Sequence, residues 1–187
     1  MPDLTTTQQF IAGWAASGGH LVLAGLLCAA TAIDLRTFRL PNWLTVGGAL
    51  AGLVWSLLPG GVSPLHALGG LGLGLVALLP LWLLRVMGAG DVKLMAMVGA
   101  FLGAPEVLMA VLLSFIAGGV VALGFAVWRR ATGQMLVNVR DAVFMNAMAI
   151  AAGQRLDFAS TPSIGKFPYG VAITAGTLAC IAVLHLG

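Results

Sequence analysis

A chain of 187 residues in which 60% are apolar and only 8% charged is neither a soluble globule nor a disordered segment. Soluble domains carry about a quarter charged residues, and disorder goes with low apolar content. The formal charge of +3, from 9 basic and 6 acidic residues, is too small and too scattered for a nucleic-acid partner. Lipid is the solvent that fits, so the expected fold class is an all-α integral membrane protein, one membrane-embedded domain over residues 1–187.

Six apolar segments follow in chain order: 14–33, 43–58, 65–86, 94–103, 107–128 and 169–186. The first is too long for a signal-peptide core and has no Lys or Arg ahead of it, so it is expected to span. The second is bounded by Pro41-Asn42 and by Pro59-Gly60-Gly61. The fourth is shorter than a bilayer core requires, but Gly103-Ala104-Pro105-Glu106 offers a break between it and the fifth. Between the fifth and sixth, residues 134–152 read as a helix lying in the cytoplasmic interface, because Asn138, Arg140, Asp141 and Asn146 make them too polar to span.

With the N-terminus outside and six spans, every basic residue falls on the inner side. Arg36 and Arg39 follow the first span, Arg85 and Lys93 flank the turn between the third and fourth, and Arg129, Arg130, Arg140, Arg155 and Lys166 precede the sixth. This is the positive-inside bias. Glycines spaced four apart, as at Gly48/Gly52, Gly70/Gly74 and Gly99/Gly103, are expected to let helices of this chain approach one another closely.

The chemistry-bearing residues are few. Asp34 ends the first apolar run and Asp91 sits between the third and fourth, so the topology puts both at the inner ends of spans. Ionisable groups at membrane depth are costly and tend to be functional. Two carboxylates in one low-dielectric site share a proton, which suits hydrolysis: one takes a proton from water while the other polarises a carbonyl. Gly88 and Gly90 are expected to unwind the approach to Asp91, and Lys93 to hold the anionic site or anchor its helix at the headgroups. Taken singly, either aspartate could instead be a loop or helix cap. Cys28 and Cys180 form no C-x-x-C pair, there is no H-E-x-x-H, and His20, His66 and His185 are dispersed, so neither a metal nor a cofactor is expected. Ser114 has no His or Lys on its turn and is a poor nucleophile.

Three stretches carry a resemblance. Residues 34–42, Asp34-Leu-Arg36-Thr-Phe-Arg39-Leu-Pro41-Asn42, are similar to the first aspartate motif of prepilin peptidases. Gly88-Ala-Gly90-Asp91-Val-Lys93 resembles the G-x-G-D-x-K motif of that family, and Pro168-Tyr169-Gly170 its Pro-Tyr-Gly segment. The resemblance implies a membrane aspartyl endopeptidase with Asp34 and Asp91 as the catalytic pair. It would act on the basic leader of type IV prepilins and pseudopilins, at the cytoplasmic face of the bacterial plasma membrane. The longer members carry a cytoplasmic region with paired cysteines linked to methylation. This sequence resembles instead the short, peptidase-only members of tight-adherence (Flp, type IVb) systems. Asp141 or Asp157 could meet a basic leader. Presenilin-type proteases share G-x-G-D but pair it with a Tyr-Asp, whereas the one tyrosine here is Tyr169. A transporter would place charge near a span centre, and a non-catalytic assembly protein of a pilus or secretion system would tolerate loss of either aspartate.

Overall fold

A computed structural model of the chain describes residues 4–37, 39–59, 61–83, 87–128 and 169–186, with side chains from Gly18 onward apart from those of 125–128, 185 and 186. The described residues form six helices: α1 (Leu4–Thr37), α2 (Asn42–Trp55), α3 (Pro64–Leu83), α4 (Ala89–Leu102), α5 (Ala104–Trp128) and α6 (Tyr169–Leu186), with no strand among them. Three have stretches long and apolar enough to cross a membrane: Gly18–Thr37, Pro64–Leu83 and Ala104–Gly124. The outer faces are apolar, with Leu21, Trp43, Leu50, Leu65, Leu112 and Val120 exposed. That surface suits hydrocarbon and would be a liability in water.

The shortest helices explain the arrangement. α4 has 14 residues, about 21 Å of helix, less than the hydrocarbon thickness of a bilayer. It is nonetheless the centre of the bundle, because from Asp91 to Leu102 every residue except Lys93 is buried. A helix apolar all round must be enclosed by other helices. α3 packs along one side of α4 and α2 along another, while α5 pairs chiefly with α6. A short helix is tolerated at membrane depth when protein covers it.

The close crossings are made by glycine. The backbones of Gly70 and Gly99 touch where α3 crosses α4, and a Cβ on Gly74 would lie 2.5 Å from the Met95 carbonyl oxygen. On the α2 side Gly48 faces Met97, and a Cβ on Gly52 would lie 2.9 Å from Phe101 Cδ2. The glycine pairs read from the sequence therefore serve packing within the chain.

Helix ends differ from the sequence reading for local reasons. α2 stops at Trp55 rather than 58, since Leu57 and Leu58 bond back to the carbonyls of Val54 and Trp55 in a tight turn. The break before α5 is a single residue: Gly103 takes φ 95, ψ 179, accessible to glycine alone, and Pro105 sits harmlessly in the first turn of α5. α1 runs past residue 33 to Thr37, so Asp34 lies in its last turn and is not a loop residue. The interfacial helix expected over 134–152 lies outside the described residues, as do Asp141, Asp157, Pro168 and the bases Arg85, Arg129, Arg130, Arg140, Arg155 and Lys166.

Candidate active site

The C-terminal end of α1 meets the N-terminal ends of α4 and α6. Asp34 and Asp91 are 5% and 8% exposed, so both carboxyls are withdrawn from the surface. Each is held in the same way, by the backbone N–H of a glycine at the start of a helix. Gly170 N–H donates to Asp34 Oδ2 at 3.1 Å, and Gly88 N–H donates to Asp91 Oδ2 at 3.1 Å. The N-terminal ends of α4 and α6 also direct their positive dipole ends toward the pair.

Asp91 occupies the third position of α4, and its own N–H returns a bond to the Gly88 carbonyl at 3.1 Å. The N-cap is Gly88 and not Asp91, where the alternative reading of the sequence put it, but the Asp91 carboxylate still has a capping role. It does not exclude chemistry, because the carboxylate also senses its partner. Asp91 lies ahead of the apolar 94–103 segment, and burial pushes its carboxyl up to about 6; the Gly88 N–H opposes this and the charge of Asp34 adds to it. A carboxyl so poised, near a second carboxylate, can donate its proton to a carbonyl oxygen while the other takes a different proton from water.

Asp34 is set in register by a polar ladder along α1 and α6. Thr31 Oγ1 donates to Thr174 Oγ1 at 2.7 Å, and Thr174 Oγ1 donates to the Leu27 carbonyl at 3.3 Å. Thr31 is one turn below Asp34, and Thr174 one turn beyond Gly170. Neither threonine stands out in the sequence. Each lies about one helical turn from Asp34 or Gly170 in the sequence, but only a known pairing of first and last helices gives that spacing meaning. A Cβ at Gly170 would lie 2.7 Å from Asp34 Oδ2 and 3.2 Å from its Cγ, so an added methyl would displace the carboxyl.

The remaining motif residues divide. Gly88 has extended backbone (φ −77, ψ 151) and Gly90 lies inside the helix; neither unwinds it, contrary to the expectation from the sequence. Gly90 instead admits the Leu40 side chain, whose Cβ would stand 2.9 Å from a Cβ at that position. Lys93 Nζ donates to Asn42 Oδ1 at 2.9 Å, joining α4 to the start of α2, and Pro41 begins α2 with its carbonyl accepting from Leu44 and Thr45. Arg36 and Arg39 are exposed at the same end of the bundle. Tyr169 opens α6 close enough to Asp91 to feel its charge. It also borders an apolar groove of about 270 Å³ that runs between α3, α5 and α6. Ser114 Oγ is buried and donates to the Ala110 carbonyl at 2.6 Å, so it serves the backbone. Among the described residues no three His, Cys, Asp or Glu side chains come together as a metal site.

Comparison with known proteins finds a family and several relatives. Residues 21–123 match a model of the type IV leader peptidase family, a stretch that includes both aspartates. Over 143 residues the chain is 35% identical to a prepilin leader peptidase/N-methyltransferase of Xanthomonas campestris pv. campestris, covering 70% of this chain and 47% of that protein. A protein of the same name from Aeromonas hydrophila is 36% identical over 63% of this chain and 42% of its own length. Another, from Pectobacterium carotovorum subsp. carotovorum, is 35% identical over 59% and 41%. The chain thus spans less than half the length of the curated relatives it matches. No solved structure matches it. With more than half of its residues inside the family match, and two buried aspartates at its heart, the chain belongs to the type IV leader peptidase family.

Proposed function

We propose that this protein is a membrane aspartyl endopeptidase that removes the leader from type IV prepilins, those of the Flp type in particular, at the cytoplasmic face of the bacterial plasma membrane. The observation that carries the reading is the pair of buried aspartates at one end of the bundle, each held by a glycine N–H, with Asp91 feeling the charge of Asp34. Family membership and the similarity of residues 34–42 and 88–93 to the two aspartate motifs of prepilin peptidases support the reaction; the Flp class carries over from the resemblance drawn from the sequence.

The six apolar segments are read as six spans, the fourth over 94–103, which leaves Asp91 at the membrane edge. Arg36, Arg39 and Lys93 lie at the dyad end, whereas Glu106 lies beyond the far end of α4, which supports a cytoplasmic dyad by the positive-inside bias. A prepilin with its leader in the cytoplasm and its apolar helix in lipid presents the scissile bond at that depth. In the reaction, one carboxylate takes a proton from water, whose oxygen bonds to the scissile carbonyl carbon. The protonated carboxyl gives its proton to the carbonyl oxygen. Collapse of the tetrahedral adduct breaks the C–N bond, and the amine leaves with a proton from the dyad. The test is co-expression with a Flp-type prepilin: the pilin shortens by the leader when this protein is present and stays at precursor length when it is absent. A pilin that never shortens would refute the assignment.

Two outcomes follow from the site. Cleavage measured as kcat/KM should fall as pH rises through about 6, by roughly tenfold per unit beyond it. There Asp91 loses the proton that the carbonyl needs. A rate that holds flat to strongly alkaline pH would contradict the assignment of Asp91 as proton donor. Gly170→Ala should leave the protein in the membrane at normal levels but slow cleavage on the order of 10²-fold, because the added methyl displaces Asp34 from its N–H donor. Quantifying mature pilin at equal enzyme levels checks this, and a wild-type rate would remove Gly170 from the site.

A further inference from the structure

We propose that residues 39–42, the connection from α1 to α2, act as a strap that clamps the first turn of α4 and thereby sets Asp91 in register with Asp34, with Lys93 and Asn42 as its positioning pair. The inference rests on the two-aspartate peptidase reading for its kinetic consequences, though not for its geometry.

Three contacts build the strap. At its start, Thr37 Oγ1 lies 2.9 Å from the Ile33 carbonyl oxygen and 3.0 Å from that of Arg39. One hydroxyl hydrogen is thus shared between the last turn of α1, where Asp34 sits, and the strap. In its middle, Leu40 rests on Gly90, so tightly that no side chain fits between them. At its end, Asn42 Oδ1 accepts from Lys93 Nζ at 2.9 Å. Gly90 and Lys93 bracket Asp91 in sequence, so the strap grips α4 on both sides of the aspartate. Beyond Asn42 the grip continues, because Gly48 and Gly52 seat α2 against α4.

Lys93 is therefore not a counter-charge to the dyad. Residues two apart on a helix point to different faces, and the half-buried Lys93 ammonium is turned to a neutral amide across the α2–α4 boundary. A bond with one charged partner is stronger than one between neutral groups, and here it joins two helices near the membrane edge. The Gly170 bond fixes Asp34 from the α6 side; the strap supplies the link from α1 to α4.

The test is a cycle of Asn42→Leu, Lys93→Met and the double variant, each assayed for prepilin cleavage in membranes at matched enzyme levels. The expected result is that either single change lowers kcat on the order of 10²-fold with little change in KM. The double variant should be no worse than the poorer single, as for two halves of one contact. Asn42→Asp, which keeps the acceptor, should cleave at near the wild-type rate. In Lys93→Met the descending limb of the pH profile should move to lower pH, since Asp91 drifts from the Asp34 charge. Losses that multiply, or wild-type kinetics with an unmoved profile, would overturn the strap. If the single variants fail to accumulate, Gly90→Ala serves instead. Alanine favours the helix there, yet its methyl pushes Leu40 away, and an unimpaired rate would overturn the proposal. An activity-independent reading separates this inference from the peptidase assignment. Spin labels at Leu35→Cys and Ala89→Cys, with Cys28 and Cys180 replaced by serine, should give a narrow distance distribution that broadens in Lys93→Met. Broadening without any wild-type cleavage would keep the strap and refute the peptidase. Cleavage with neither broadening nor a kinetic effect would do the reverse.

Discussion

Asp34→Asn and Asp91→Asn are each expected to abolish leader removal while leaving the protein in the membrane at wild-type levels. Asparagine keeps the shape of each side chain and can still accept the N–H bond from Gly170 or Gly88. What it cannot do is exchange a proton with water or with a carbonyl oxygen. A single missing member disables the pair, because hydrolysis needs one carboxylate as base and one carboxyl as acid in the same event. The loss should exceed 10²–10⁴-fold, about the range attributed to a single general acid or base, since each group serves in both bond-making and bond-breaking. The assay is the length of co-expressed prepilin at matched enzyme levels. Continued processing by either variant would remove that aspartate from the mechanism and favour a non-catalytic assembly role.

Gly99→Leu is expected to prevent the fold from forming. At that point α4 lies against α3 with the Gly99 and Gly70 backbones in contact, and a leucine can only be admitted by parting the two helices. Overpacking a core ordinarily costs about 1–3 kcal/mol because side chains shift. Here the obstacle is backbone, which has nowhere to move, so the loss should exceed that range. Gly72→Leu is the control, as nothing lies within 4 Å of a Cβ there; it should change stability by no more than about 0.5 kcal/mol. Thermal melting followed by size-exclusion fluorescence reads both. Equal melting of the two variants would contradict the α3–α4 crossing.

Much of this was legible in the residues alone, for physical reasons. In a chain with 8% charge, an aspartate at the edge of an apolar run is conspicuous, and Asp34 and Asp91 stand out as candidates from the sequence alone. The apolar segments were equally plain, since backbone at membrane depth must be helical. The depth of Asp34 in α1 was not visible: hydropathy falls at Asp34-Leu-Arg36, but the backbone stays helical to Thr37. The central position of α4 was hidden by its shortness, which as a hydropathy signal reads as weakness and in the bundle reflects complete enclosure. Gly90 was misread as a point of unwinding because glycine signals both flexibility and close approach. Only the position of Leu40 decides for the second. The Thr31–Thr174 and Lys93–Asn42 bonds join residues far apart in the chain, and no local pattern marks such partners.

The most direct measurement uses the purified protein reconstituted in liposomes with a Flp-type prepilin and nothing else, the products being identified by intact mass. Two fragments whose masses sum to the prepilin plus one water, absent when Asp91→Asn replaces the wild type, are the expected result. A prepilin that stays intact with the wild-type protein, or fragments that persist with Asp91→Asn, would contradict the two-aspartate peptidase.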